Sequence, residues 1–194
     1  MKETLRLILT LSLICFVAGA LLAGVNNLTK GPIAAAKREK KLEAIKKVLP
    51  PCSNSPDQNT CTVEHNGRKW TFLVARNDKG YVGCAVETSS PAGYGGDIGL
   101  MLGINADGKT EAIYILSQKE TPGLGANITG KEFQSNFKQK PLSGDEWNWQ
   151  VKKDGGSVDQ ITAATISSRA VTGAVKAAID AYLANEDKIK QTGQ

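Results

Sequence analysis

One histidine in 194 residues, His65, leaves no multi-histidine metal site and gives a serine or cysteine triad a single possible base. It adjoins Asn66-Gly67, a turn pair, and no G-x-S-x-G elbow accompanies it. The four cysteines, Cys15, Cys52, Cys61 and Cys84, are too scattered to ligate an iron–sulfur cluster. No P-loop is present, and the glycine-rich Pro91–Gly99 stretch neither matches G-x-G-x-x-G nor opens a helix, so a Rossmann dinucleotide site is not supported. Net positive charge is also missing from most of the chain. Lys30 to Lys47 holds seven bases and two acids, whereas residues 48–194 hold 15 bases and 16 acids. Nucleic acid is therefore not an expected partner. The basic stretch reads as a patch for anionic lipid headgroups or an acidic partner, or as a solvated helix face.

What is there begins with an apolar run. Leu7 to Val25 is 19 residues without a charge, long enough for one membrane-spanning helix. A cleaved signal peptide is the alternative, with Ala18-Gly19-Ala20 as its site. Ile14 before Cys15 argues against a lipid-modified cysteine. Gly31-Pro32 is expected to break the chain, and Leu42, Ile45, Val48 and Leu49 mark a short amphipathic helix ended by Pro50-Pro51. The expected division is an anchor over 1–29, a stalk over 30–51 and a folded domain over 52–194.

Within that domain, Trp70, Phe72 and Val74 alternate, Asn77–Gly80 turns, and Tyr81–Glu87 returns; Ile98–Asn105 and Thr110–Leu116 then flank Asp107-Gly108. These hairpins predict an α+β fold, a mostly antiparallel sheet with packed helices behind one N-terminal transmembrane helix. Thr129-Gly130-Lys131-Glu132 spells a capping box before Phe133 and Phe137, and Trp147–Val151 reads as a strand with Trp149 in the core. Cys52 and Cys61 close a short polar loop, as a disulfide or as two free thiols; Cys84 reads as core. Val171, Ala174, Val175, Ala178, Ile179, Tyr182 and Leu183 give a long helix one buried face. Thr165, Ser167 and Ser168 are competent caps at its start. Unpaired N–H groups there favour an anion at Thr165, with Arg169 as a second partner.

The segment Asp159-x-x-Thr162-Ala163-Ala164-Thr165 resembles the D-x-x-[S/T]-G-A-T motif of the FMN-binding domain family, whose last threonine carries FMN through a phosphoester. Ala163 departs, standing where the family usually has glycine; a Cβ disfavours positive φ, so the turn is expected to be less strained or not left-handed. Glu120-Thr121-Pro122-Gly123-Leu124-Gly125 matches the family's E-T-P-G-L-G string in full. The resemblance covers the whole chain and is nearest to the G subunits of the Rnf ion-translocating electron-transfer complex. The C subunits of the sodium-translocating NADH:quinone oxidoreductase are the alternative. The resemblance implies covalent FMN at Thr165, attached by a flavin transferase of the ApbE type, with other membrane and redox subunits as partners. It also implies that Asp159, Thr162, Ala164, Glu120, Thr121, Gly123, Leu124, Gly125, Tyr94 and Gly95 surround the flavin, with glycine letting backbone approach the ring. The implied place is the bacterial inner membrane, single-pass, flavin domain outside the cytoplasm. Charge alone argues weakly for the opposite side, since only Lys2 and Arg6 precede the span. A flavin reductase with Glu120 as proton donor, or a redox-sensing module, stays open beside the electron carrier.

Overall fold

The computed structural model describes residues 2–193, and it divides into two compact units at Lys40/Lys41. Helix α1 (Lys2–Val48) supplies the whole of the described first unit, and it is long and apolar enough to cross a membrane. Its apolar side chains, among them Leu9, Phe16 and Leu22, are not covered by protein, as a helix that meets lipid requires. The expected break at Gly31-Pro32 does not occur, because Pro32 stands inside the helix. A proline removes one backbone donor, but the following Ala34–Ala36 and the Lys, Glu and Leu residues up to Lys47 are strong helix formers, and they carry the helix past it.

The second unit is organised on an antiparallel sheet of five strands in the order β1 (Thr60–His65), β2 (Arg68–Asn77), β3 (Gly80–Ser90), β4 (Ile98–Asn105) and β5 (Thr110–Ser117). Period-2 alternation assigns each strand's side chains to two faces. On one face Trp70, Phe72, Val74, Cys84, Val86, Leu100 and Leu102 meet Val171, Val175, Ile179 and Tyr182 of α3 (Thr165–Leu183). Each such aliphatic side chain contributes about 1.5–3 kcal/mol on burial. On the other face Leu73, Ala75, Ala85 and Met101 meet Ala44, Ile45, Val48 and Leu49. The helix end sits so close that a Cβ on Gly103 would overlap the Val48 carbonyl. Half of the stretch read as a stalk is thus part of the folded unit.

Strand β1 was not foreseen; Asn66 (φ 51°) and Gly67 (φ 70°) form the left-handed pair that joins it to β2. A short helix α4 (Glu186–Gln191) follows α3 and buries Ile189. The disulfide does not form: all four cysteines are free, and Cys61 belongs to the α3 face of the sheet while Cys52 packs on the opposite face. Cys84 is core as expected, and burial pushes its thiol up to about 12, which makes it inert. The expected strand at Trp147–Val151 is only a single bridge from Val151 to Val158. Trp149 is nevertheless core, stacked on Phe137 with ring centroids 6.2 Å apart. Nor does the capping box form. Thr129 closes the 3₁₀ turn Gly125–Thr129, donating its hydroxyl to the Ala126 carbonyl at 2.9 Å, and Gly130 caps α2 (Lys131–Ser135) instead.

Candidate functional site

Three segments far apart in the chain converge on a cleft of about 460 Å³, within the ~300–1,000 Å³ range of small-molecule sites. Tyr94 comes from the β3–β4 connection, Glu120, Thr121, Leu124 and Gly125 from the stretch after β5, and Ala163 to Ser167 from the start of α3. Tyr94, Leu124 and Ile166 are 74%, 44% and 48% exposed, so the rim offers apolar surface that the protein itself does not cover.

Glu120 holds the cleft together. Only 5% exposed, its carboxylate accepts the Gly95 N–H at 2.8 Å and the Ser167 hydroxyl. One side chain thereby ties the glycine-rich connection to the first turn of α3. A Cβ on Gly125 would collide with Glu120 and Ser167, one on Gly93 with Glu120 and the Gly96 carbonyl, and one on Gly95 with the Lys119 carbonyl. Glycine is required at these places because protein packs against protein there. Gly123 has φ +77° and keeps the left-handed turn expected after Pro122.

Thr165 is the first residue of α3 and not its cap; Ala164 holds the cap position and no side chain caps the helix. The other two hydroxyls expected as caps are engaged elsewhere, Ser167 on Glu120, while Ser168 accepts the Ile161 N–H and donates to the Ala164 carbonyl, both at 3.0 Å. Thr165, half-buried, has no hydrogen-bond partner for its hydroxyl among the described residues. The first helical bond runs from Ser168 N–H to Ala164 C=O, so the N–H groups of residues 165–167 have no partner within the helix.

Two expectations at this turn are overturned. Ala163 is left-handed, at φ 61°, a conformation that costs an L-residue roughly 1–2 kcal/mol; the turn needs it because Ala164 N–H closes back on Ile161 C=O at 3.0 Å. Arg169 does not reach toward Thr165, because its guanidinium makes a two-pronged pair with Asp154 at 2.7 and 2.6 Å. That pairing holds the Asp154 carboxyl below its ordinary range and the guanidinium above its own. The motif is also divided in space. Asp159 and Thr162 line a separate cleft of about 580 Å³ with Lys131, Glu132 and Asn136, and Asp159 pairs with Lys152 at 2.6 Å.

An open apolar cleft, an unpartnered hydroxyl and a first helical turn of free N–H groups suit a flat heteroaromatic ring on a phosphorylated tail. The lining residues fit FMN, and the chain carries an FMN-binding domain. The profile of that domain family matches residues 93–180, and one described as the RnfG N-terminal region matches residues 1–48. The G subunit of the ion-translocating oxidoreductase complex of Aliivibrio fischeri strain MJ11 is 33% identical over 192 residues, covering 93% of this chain and 91% of the relative. Its namesake from Methanosarcina acetivorans is 35% identical over 188 residues, covering 95% and 97%. That from Photorhabdus laumondii is 37% identical over 196 residues, covering 91% and 89%. The chain belongs to this family of G subunits. Among solved structures, the fold is shared with the C subunit of the sodium-translocating NADH-quinone reductase of Parabacteroides distasonis (TM-score 0.58, 20% identity, 82% of this chain and 96% of that one). It is shared likewise with NqrC of Shewanella oneidensis (TM-score 0.53, 17% identity, 77% and 74%).

Proposed function

We propose that this chain is a single-pass flavoprotein subunit of an Rnf-type ion-translocating oxidoreductase complex, carrying FMN covalently on Thr165 on the extracytoplasmic side. The observation that carries the reading is the unpartnered Thr165 hydroxyl at the open N-terminal turn of a 19-residue helix, facing the cleft built by Tyr94 and the Glu120–Gly125 stretch. The flavin supplies the electron-transfer chemistry when bound. The chain's own residues hold and shield: Tyr94, Leu124 and Ile166 offer apolar cover, and the N–H groups of residues 165–167 favour the phosphate.

Attachment is a phosphoryl transfer performed by a separate transferase of the ApbE type. The Thr165 oxygen attacks the FMN-side phosphorus of FAD, the pyrophosphate P–O bond breaks, AMP leaves with the electron pair, and the hydroxyl proton passes to a base of the transferase. A covalent bond prevents loss by dilution on that side of the membrane. The partners are the redox and membrane subunits of the complex, the transferase, and anionic lipid headgroups at the basic stretch Lys30–Lys47. A free-standing reductase fits less well, since Glu120, the carboxyl group lining the cleft, is held by Gly95 and Ser167.

Thr165→Ala should abolish flavin fluorescence on a denaturing gel while moving stability by no more than about 0.5 kcal/mol, because this side chain caps nothing. Fluorescence that survives denaturation would remove the assignment. The side of the membrane is tested by a cysteine at Asp107, in an exposed turn, labelled in intact cells with an impermeant reagent. Labelling only after lysis would place the domain in the cytoplasm.

A further inference from the structure

We propose that Glu120 makes the cleft selective for a phosphodiester over a free phosphate monoester, so that flavin is retained as the Thr165 ester and rejected as free FMN. The inference rests on the reading of Thr165 as the attachment point and adds a role for a residue that the attachment does not itself require.

The argument is one of charge. A site for a free flavin phosphate ordinarily supplies lysine or arginine, because at neutral pH a phosphate monoester carries roughly −1.5 to −2 charges. Among the described residues lining this cleft there is no lysine or arginine, and there is one acid, Glu120. The nearest guanidinium on α3, Arg169, is already committed to Asp154. What remains is the positive end of α3, worth about half a charge. Glu120 shares that end, since its carboxylate takes the hydroxyl of Ser167, two residues beyond Thr165 in the same turn. Its burial places it where solvent screens poorly. A second negative charge on an incoming phosphate is therefore opposed at close range with nothing to balance it. Esterification to Thr165 removes that second charge, because a phosphodiester has only one ionisable oxygen. Glu120 also stays in place whether or not flavin is bound, because Gly95 and Ser167 fix it, so the discrimination is preorganised.

The test uses the full chain in detergent, produced without the transferase and carrying Thr165→Ala, with FMN and riboflavin as probes and quenching of flavin fluorescence as readout. Riboflavin has the same ring and no phosphate. The proposal expects the Glu120 protein to bind FMN no more tightly than riboflavin. Adding Glu120→Gln should raise FMN affinity about tenfold and leave riboflavin unchanged, the size expected for removing one partly screened charge nearby. Glutamine can still accept from Gly95 and donate to Ser167, and an unchanged circular-dichroism melt verifies that it does. Leu124→Lys, which adds a cation at the rim at the expense of apolar cover common to both flavins, should raise the ratio of FMN to riboflavin affinity as well. Equal changes for both flavins, or a tenfold FMN preference already present with Glu120, would overturn the proposal. Covalent flavin on the Thr165→Ala chain after coexpression with the transferase would instead remove the underlying attachment reading, and a gel distinguishes that failure from the other two.

Discussion

The turn from Asp159 to Ala164 separates two clefts of comparable size and opposite character. On one side Tyr94, Leu124 and Ile166 present apolar surface around an unpartnered threonine; on the other, Lys131, Glu132 and Asp159 present charge. A seven-residue motif that reads as one unit in the sequence is therefore two devices back to back. Ala164 and Thr165 line the apolar cleft. Asp159 and Thr162 line the other cleft, and on the function proposed above they would shape the turn or be read by the transferase.

Mutations on the two sides should separate accordingly. The largest effect is expected from Gly125→Ala, whose new methyl meets Glu120 and Ser167; overpacking of this kind costs about 1–3 kcal/mol. A lowered melting temperature and an altered flavin absorption band should appear together, and a wild-type band would mean that the clasp does not shape the cleft. On the other side, Asp159→Asn with Thr162→Ala should slow the time course of flavin attachment by purified transferase and FAD. The same pair should leave the spectrum of attached flavin unchanged and cost at most about 1 kcal/mol, since an exposed ion pair such as Lys152–Asp159 contributes little. A shifted spectrum would erase the distinction between the clefts. Between them, Ala163→Gly should gain about 0.5 kcal/mol in urea unfolding, relief of left-handed strain outweighing the extra freedom of glycine in the unfolded chain.

The smallest effect concerns pH. Asp154 is held below its ordinary carboxyl range by Arg169, so the pair stabilises above the unfolded-state value near 4 and the benefit is lost as pH falls through the depressed value. The melting difference between wild type and Asp154→Asn should accordingly be widest near neutrality and close below about pH 4. A difference that persisted in acid would show that the charge is not its source.

The central strands and α3 were legible because Trp70, Phe72 and Val74 repeat every two residues and Val171, Val175, Ile179 and Tyr182 follow helical spacing. The hairpin turns were legible because Asn-Asp-Lys-Gly and Asp-Gly carry their own chemistry. Helix α1 running through Pro32 was not, because local propensity on both sides outweighs one breaker. The partners of hydroxyls and carboxylates were hidden for a different reason. Nothing in the spacing of Glu120 and Ser167, or of Asp154 and Arg169, announces contacts that only the packing of α3 on the sheet creates. Left-handed Ala163 was hidden as well, since the residue type argues against the conformation that its neighbours impose.

One feature of the sheet bears on timing. Every strand pairs with its neighbour in sequence, so the meander has local topology and can grow hairpin by hairpin as the chain emerges. The cleft cannot. It needs Tyr94, Glu120 and Thr165 together, and they meet only when α3, the last long element, has docked across the finished sheet. On the function proposed above, flavin attachment to a formed cleft then comes after synthesis and folding, and a chain cut short within α3 would present Thr165 with no cleft to receive the ring.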